Sequence, residues 1–98
     1  MNMQNLMMQA KKMQKDIEKT QKELESKIYE GSSQIVTASV NGNGKLLSIN
    51  IEIDDLTNDD KEMLEDMILS AVNNAIDKME KDKEAKFGKY GQMFNGLM

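Results

Sequence analysis

The sequence predicts an α+β fold: a long N-terminal helix, then a small antiparallel sheet, then a C-terminal helix. Three observations predict it. Apolar residues recur at heptad spacing from Met3 to Ile28, "NGNG" separates two β-branched runs, and an i, i+4 apolar stripe begins at Met63. Ninety-eight residues make one small domain rather than two with separate cores.

The first segment, residues 1–27, reads as a helix from about Met3 to Lys27. It holds no Gly or Pro and is rich in Gln, Lys, Glu, Met and Ala, all good helix formers. Met3, Ala10, Ile17 and Leu24 repeat every seven residues, as do Leu6, Met13 and Thr20. That is a coiled-coil-like seam. About 25 helical residues reach close to 38 Å, whereas a compact globule of this size has a radius of gyration near 13 Å. The helix therefore overhangs the domain, and its seam still has to be covered. A second copy of the chain is the simplest cover, which makes Leu6, Ala10, Met13, Ile17 and Leu24 candidate dimer-interface residues.

Residues 28–53 read as antiparallel sheet. "QIVTASV" and "KLLSINIEI" flank "NGNG", a strong hairpin signal. A two-residue turn within Asn41–Gly44 pairs even-numbered residues with odd-numbered ones. Val36, Ala38 and Val40 then share the core face with Leu47, Ile49, Ile51 and Ile53. The opposite face carries Thr37, Ser39, Ser48, Asn50 and Glu52. A third short strand is expected at Ile28–Gly31, joined to the hairpin through Ser32 and Ser33.

The second helix is expected over 58–86, capped by Thr57 or Asn58. Asp59, Asp60 and Glu62 complement its positive end. Met63, Leu64, Met67, Ile68, Ala71, Val72, Ala75, Ile76 and Met79 form a stripe wide enough to cover the sheet. The remainder, 87–98, "FGKYGQMFNGLM", holds three of the six Gly residues. It is expected to be a flexible tail or to dock on a partner.

His and Cys are absent, and all thirteen basic residues are Lys. Without them the commonest general base, thiol nucleophile and metal ligands are missing, which argues against an enzyme. No cofactor, metal or small-molecule substrate is expected. The cluster Asp54, Asp55, Asp59 and Asp60 lacks the spacing and central Gly of a calcium loop; a loop leading to a helix N-terminus accounts for it. No apolar run nears the roughly 18 residues a membrane span needs.

The net charge of −4 is unevenly placed. Residues 50–70 carry eight acids and one Lys, whereas both end segments are close to neutral and Lys-rich. At roughly 100° per residue, Lys11, Lys12, Lys15, Lys19 and Lys22 fall within an arc opposite the apolar seam. On a generic helix such a stripe is a solvated outer face, with nearby carboxylates easing the repulsion. The sharper reading is a strip of phosphate contacts, since Lys is a flexible point charge suited to sequence-independent backbone binding.

Three stretches taken together weigh on that choice. "NLMMQAKKMQKDI", "VTASVNGNGKLLSINI" and "DKEMLEDMILSAVNNAIDKME", in this order and spacing, resemble the YbaB/EbfC family of small bacterial nucleoid-associated proteins. The resemblance covers residues 1 to about 80 and implies a tweezer-like homodimer. It also implies duplex DNA bound by helical arms and a cytoplasmic, nucleoid location. By position, the N-terminal arm maps to Lys11, Lys12, Lys15, Lys19 and Lys22. The C-terminal arm maps to Lys78, Lys81, Lys83, Lys86 and Lys89. Clear DNA binders of the family usually carry Arg in these arms, and this chain has none. Weak, salt-sensitive and largely sequence-independent binding is therefore the expectation. The competing expectation is a dimeric adaptor that binds another protein through its Met-rich seam or apolar tail. A membrane-surface helix is a weaker third, because the apolar face lacks Trp and Phe.

Overall fold

A computed structural model describes residues 2–97, with side chains described for residues 2–88. The order is α1 (Met3–Glu25), β1 (Ile28–Ser33), β2 (Val36–Asn41), β3 (Leu46–Ile51), a 3-10 turn at Asn58–Asp60, and α2 (Lys61–Leu97). The strands form one antiparallel sheet in the order β1-β2-β3. The α+β fold predicted from the sequence is the one observed.

Helix α1 starts at Asn2, whose Oδ1 accepts from the Gln4 N–H at 2.9 Å. It ends at Glu25, two residues before the expected Lys27. Thr57 heads the second helix: its N–H and Oγ1 donate to Asp60 Oδ2 at 3.1 and 3.0 Å, and the Asp60 N–H returns to the Thr57 carbonyl. The backbone of α2 continues to Leu97, beyond Lys86 where the sequence places its end. Gly88, Gly91 and Gly96 weaken a helix by about 1 kcal/mol each without terminating it, and no Pro intervenes. The side chains of Lys89 and of the tail expected at 87–98 lie outside the described residues from 89 onward.

The third strand is longer than expected. It runs to Ser33, so Gln34 and Ile35 form the turn instead of opening the next strand. Gln34 takes a positive φ of 51° there.

The second hairpin reaches its predicted register by an unforeseen route. Its loop has three residues, Gly42–Gly44, closed by the Asn41 N–H donating to the Lys45 carbonyl. Gly44 sits at φ +81°, the left-handed position such loops require. This pairs Val40 with Leu46, one residue out of the expected parity. A bulge between Ser39 and Val40 then leaves Leu47 unpaired and restores Ala38↔Ile49 and Val36↔Ile51.

Val36, Ala38 and Val40 are fully buried beneath Met67, Ala71, Ala75 and Met79 of α2. Ile49 and Ile51 pack at the margin of this core. The expected core positions Leu47, Ile53 and Met63 are 46%, 36% and 45% exposed. The physical reason is placement: α2 packs on β1 and β2 and leaves β3 at the open side.

Where α2 crosses β1 its backbone comes against Gly31. A Cβ there would overlap the Ala75 N and Ala71 carbonyl oxygen. Gly31, Ala71 and Ala75 together permit the close approach. The Cα radius of gyration is 19.9 Å and the extents are 71 × 23 × 13 Å, so the overhang expected of α1 is real.

Candidate nucleic-acid interface

Three polar residues of α2 at i, i+4, i+8 descend along β1. Asn74 Nδ2 donates to the Ser32 carbonyl at 3.0 Å and Lys78 Nζ to the Glu30 carbonyl at 2.8 Å. Asp82 Oδ2 accepts from the Tyr29 hydroxyl at 2.6 Å and from Lys27 Nζ at 2.7 Å. The Lys27 ammonium also stands 5.6 Å from the centre of the Tyr29 ring. This polar file occupies carbonyls on the outer edge of β1 and fixes where α1 leaves the sheet. The Lys27 bond, then the Tyr29 bond, hold Asp82 below its ordinary range. Burial, with the Asp82 carboxylate beside it, pushes Tyr29 up to about 12.

Sequence reasoning missed this file. Its signal was present, since 74, 78 and 82 repeat at helical spacing beside the apolar 71, 75 and 79. A polar file flanking an apolar stripe is ordinarily read as solvated surface.

From that junction α1 projects as an arm. Lys11, Lys12, Lys15, Lys19 and Lys22 are all exposed along it. The one ion pair within 4 Å among the described residues is Lys27–Asp82, so these five ammonium groups are not neutralised in place. On α2, Lys81 and Lys86 are exposed. Lys83 is half-buried, lining a crevice of about 290 Å³ with Gln21, Leu24, Glu25, Gly42, Asn43 and Phe87. Lys78, mapped to the same arm by sequence, has its ammonium bonded to the sheet edge. The structure thus brings the five α1 lysines onto one rod and sets Lys81, Lys83 and Lys86 at its base.

The acidic segment lies at the other end of α2. About 26 residues separate Lys61 from Phe87, roughly 39 Å of helix. Asp54, Asp55 and Asp59 are exposed there, remote from the α1 lysines. A polyanion approaching the arm meets ammonium groups first, and one approaching the far end meets carboxylates.

The expected dimer seam divides. Leu24 is buried by its own chain, 3% exposed, with its carbonyl against Gly42. Met13 and Ile17 are half-buried, while Leu6 and Ala10 are exposed. Apolar side chains are also exposed at the start of β3, Leu46 and Leu47, and beyond its end, Ile53 and Leu56. The outer edges of β3 and β1 both lack a strand partner among the described residues, but carbonyls of β1 accept from Asn74 and Lys78 of α2.

Comparison with known proteins is consistent across three kinds of match. The model of the YbaB/EbfC DNA-binding family matches residues 1–94. A nucleoid-associated protein of Streptococcus suis is 44% identical over 92 residues, covering 92% of this chain and 93% of that protein. One of Enterococcus faecalis is 42% identical over 98 residues, covering 98% and 94%. A crystal structure of an uncharacterized Helicobacter pylori protein superposes with a TM-score of 0.70 at 25% identity, covering 100% of this chain and 99% of that one.

Proposed function

The chain belongs to the YbaB/EbfC DNA-binding family, and from that premise we propose that it is a nucleoid-associated, non-enzymatic protein that holds duplex DNA by its phosphates. It acts as a homodimer in the cytoplasm, on the nucleoid. The observation that carries the reading is the α1 arm, with five exposed and unneutralised lysines on a rod directed away from the acidic end. Lys12, Lys15, Lys19 and Lys22 supply the main contacts, Lys11 extends them toward the tip, and Lys81, Lys83 and Lys86 stand at the base. A Lys ammonium has no planar fork for reading a base, so binding is weak and largely independent of sequence. Its consequences for nucleoid organisation or gene expression follow from occupancy along the duplex.

The two copies join through β3. An open edge strand flanked by exposed Leu46 and Leu47 is a surface that proteins cover. The buried state of Leu24 removes one of the five positions from the seam expected on α1. The adaptor reading has the exposed Met3, Met7 and Met8 at the arm tip in its favour, but not the lysine stripe.

Titration of duplex DNA at several salt concentrations tests the reading. Three or four contacts per protomer give six to eight in the dimer, and a log–log slope of about −5 to −7. An affinity indifferent to salt would sink it.

A further inference from the structure

The lysine stripe of α1 stops two turns short of the helix start. Its outermost members are Lys11 and Lys12, and none of the first ten residues carries a charged side chain. At roughly 100° per residue, Gln4 and Met8 fall inside the arc of the five lysines and Asn5 lies at its margin. These three residues continue the same face without charge. Met8 stands one turn from Lys11 and Lys12, and Gln4 and Asn5 stand one turn beyond Met8.

All three are exposed, Met8 by 68%. The apolar seam does not account for Met8, which points about 160° away from Leu6 and Leu24. Nor does the helix cap use the amides. Asn2 Oδ1 takes the Gln4 backbone N–H, and the side chains of Gln4 and Asn5 have no hydrogen-bond partner among the described residues.

The chemistry of the face changes where the charge ends. An ammonium donates hydrogen bonds in any direction and suits phosphates. A carboxamide donates and accepts in one plane, which matches the N6 amino group and N7 of adenine. A thioether methyl suits the C5 methyl of thymine, which an A·T pair shows in the same groove. A helix with its side chains is about 10–12 Å across, and the major groove is about 12 Å wide. From Gln4 to Lys22 the face runs about 27 Å. Its basal part meets phosphates at the rim, and its last 10 Å or so, Gln4 to Lys11, reaches the base edges.

We propose that Gln4, Asn5 and Met8 contact bases, favouring A·T pairs in the major groove, while the lysines behind them hold phosphates. The inference rests on the DNA-binding reading and deepens it. The preference it adds is modest and is laid over an affinity that the lysines set. One face of one helix then carries two separable jobs, charge for affinity and amides for the choice of bases.

The test compares three duplexes of equal length: A·T, G·C, and the A·T duplex with 7-deazaadenine for adenine. The last loses the N7 acceptor and keeps its phosphates, pairing and minor groove. The wild type should bind the A·T duplex at least about fivefold tighter than the other two. Gln4→Ala with Asn5→Ala should bind all three alike, with the salt slope unchanged because no phosphate contact is lost. Ala keeps the arm helical, which circular dichroism checks. Met8→Ala should weaken binding to the A·T duplex but not to one with uracil for thymine. Equal wild-type affinity for the three duplexes, at a slope of about −5 to −7, would overturn the inference and leave phosphate binding standing. A preference that survives in the double variant, or on 7-deazaadenine, would assign it to duplex shape and overturn the inference as well. Absence of salt-dependent binding to any duplex would take down the DNA-binding reading itself, and this inference with it.

Discussion

Tyr29 donates its hydroxyl to Asp82 at 2.6 Å across 53 positions of sequence, and Lys27 bonds the same carboxylate oxygen at 2.7 Å. The pair pins α2 to β1 at the point where α1 departs, so the direction of the arm rests on it. Tyr29 is 7% exposed, and a hydrogen bond to a charged acceptor contributes about 1.5–3 kcal/mol. Tyr29→Phe should lower stability by about 2 kcal/mol in urea titration at pH 7, with the secondary structure retained. Asp82→Asn keeps an acceptor for the tyrosine and loses only the half-exposed ion pair. It should cost less, about 1 kcal/mol.

The same pair sets a pH dependence. Asp82 is depressed in the folded chain, so its contribution is complete above the ordinary carboxylate value near 4. It is lost as pH falls through the lower folded value. Tyr29 is raised to about 12, so its contribution is complete below about 10 and lost as pH rises toward 12. Melting temperature against pH should fall at both ends. Asp82→Asn should flatten the acid limb and Tyr29→Phe the alkaline one. A wild-type profile matched by both variants would mean the bonds are absent in solution.

Gly31 should be the least replaceable position of the sheet. An added Cβ meets the backbone of Ala75 and Ala71, and backbone cannot rotate aside as a side chain can. Gly31→Ala should destabilise by about 3 kcal/mol, read as a lowered denaturation midpoint. Gly88→Ala, where no atom lies within 4 Å, should instead stabilise the helix slightly.

Much of this was legible in the sequence because it depends on periodicity. The period-2 pattern placed Val36, Ala38 and Val40 inside, and the period-3.6 pattern placed Met67, Ala71, Ala75 and Met79 over them. The register survived a mistaken loop because two one-residue shifts cancel, one in the Gly42–Gly44 loop and one at Leu47. Two other features depend on tertiary placement. Leu47 and Ile53 carry the same apolar character as Ile49 and Ile51, and their exposure follows only from α2 lying over β1 and β2. Lys78 and Lys81 are chemically alike in the sequence, yet one bonds the Glu30 carbonyl and the other points to solvent. The lysines of α1 were readable as one stripe because a single helix carries them all.

The dimer proposed on β3 makes its own prediction. Leu47 is the unpaired bulge residue and is nearly half exposed, so a charge there does little to a lone chain but must be desolvated at an interface. Leu47→Asp should shift sedimentation from the dimer to the protomer mass and leave the circular dichroism spectrum intact. Ile17→Asp, on the half-buried seam of α1, should loosen the arm without changing the mass. The reverse result would return the interface to α1.

The last prediction concerns the lysines themselves. Replacing Lys12, Lys15, Lys19 and Lys22 with Gln removes four charges per protomer without altering helix propensity, since Gln and Lys rank alike. Each lost phosphate contact reduces the salt slope by about 0.9, so a wild-type slope of about −6 should fall toward −1 or less. Affinity at low salt should drop by orders of magnitude, equally for any duplex sequence. Replacing Lys45 and Lys61, outside both proposed lysine groups, controls for net charge alone and should leave the slope nearly unchanged. If the control lowers the slope as much per charge removed as the arm variant does, the overall charge alone sets the binding, and the arm has no special part in holding DNA.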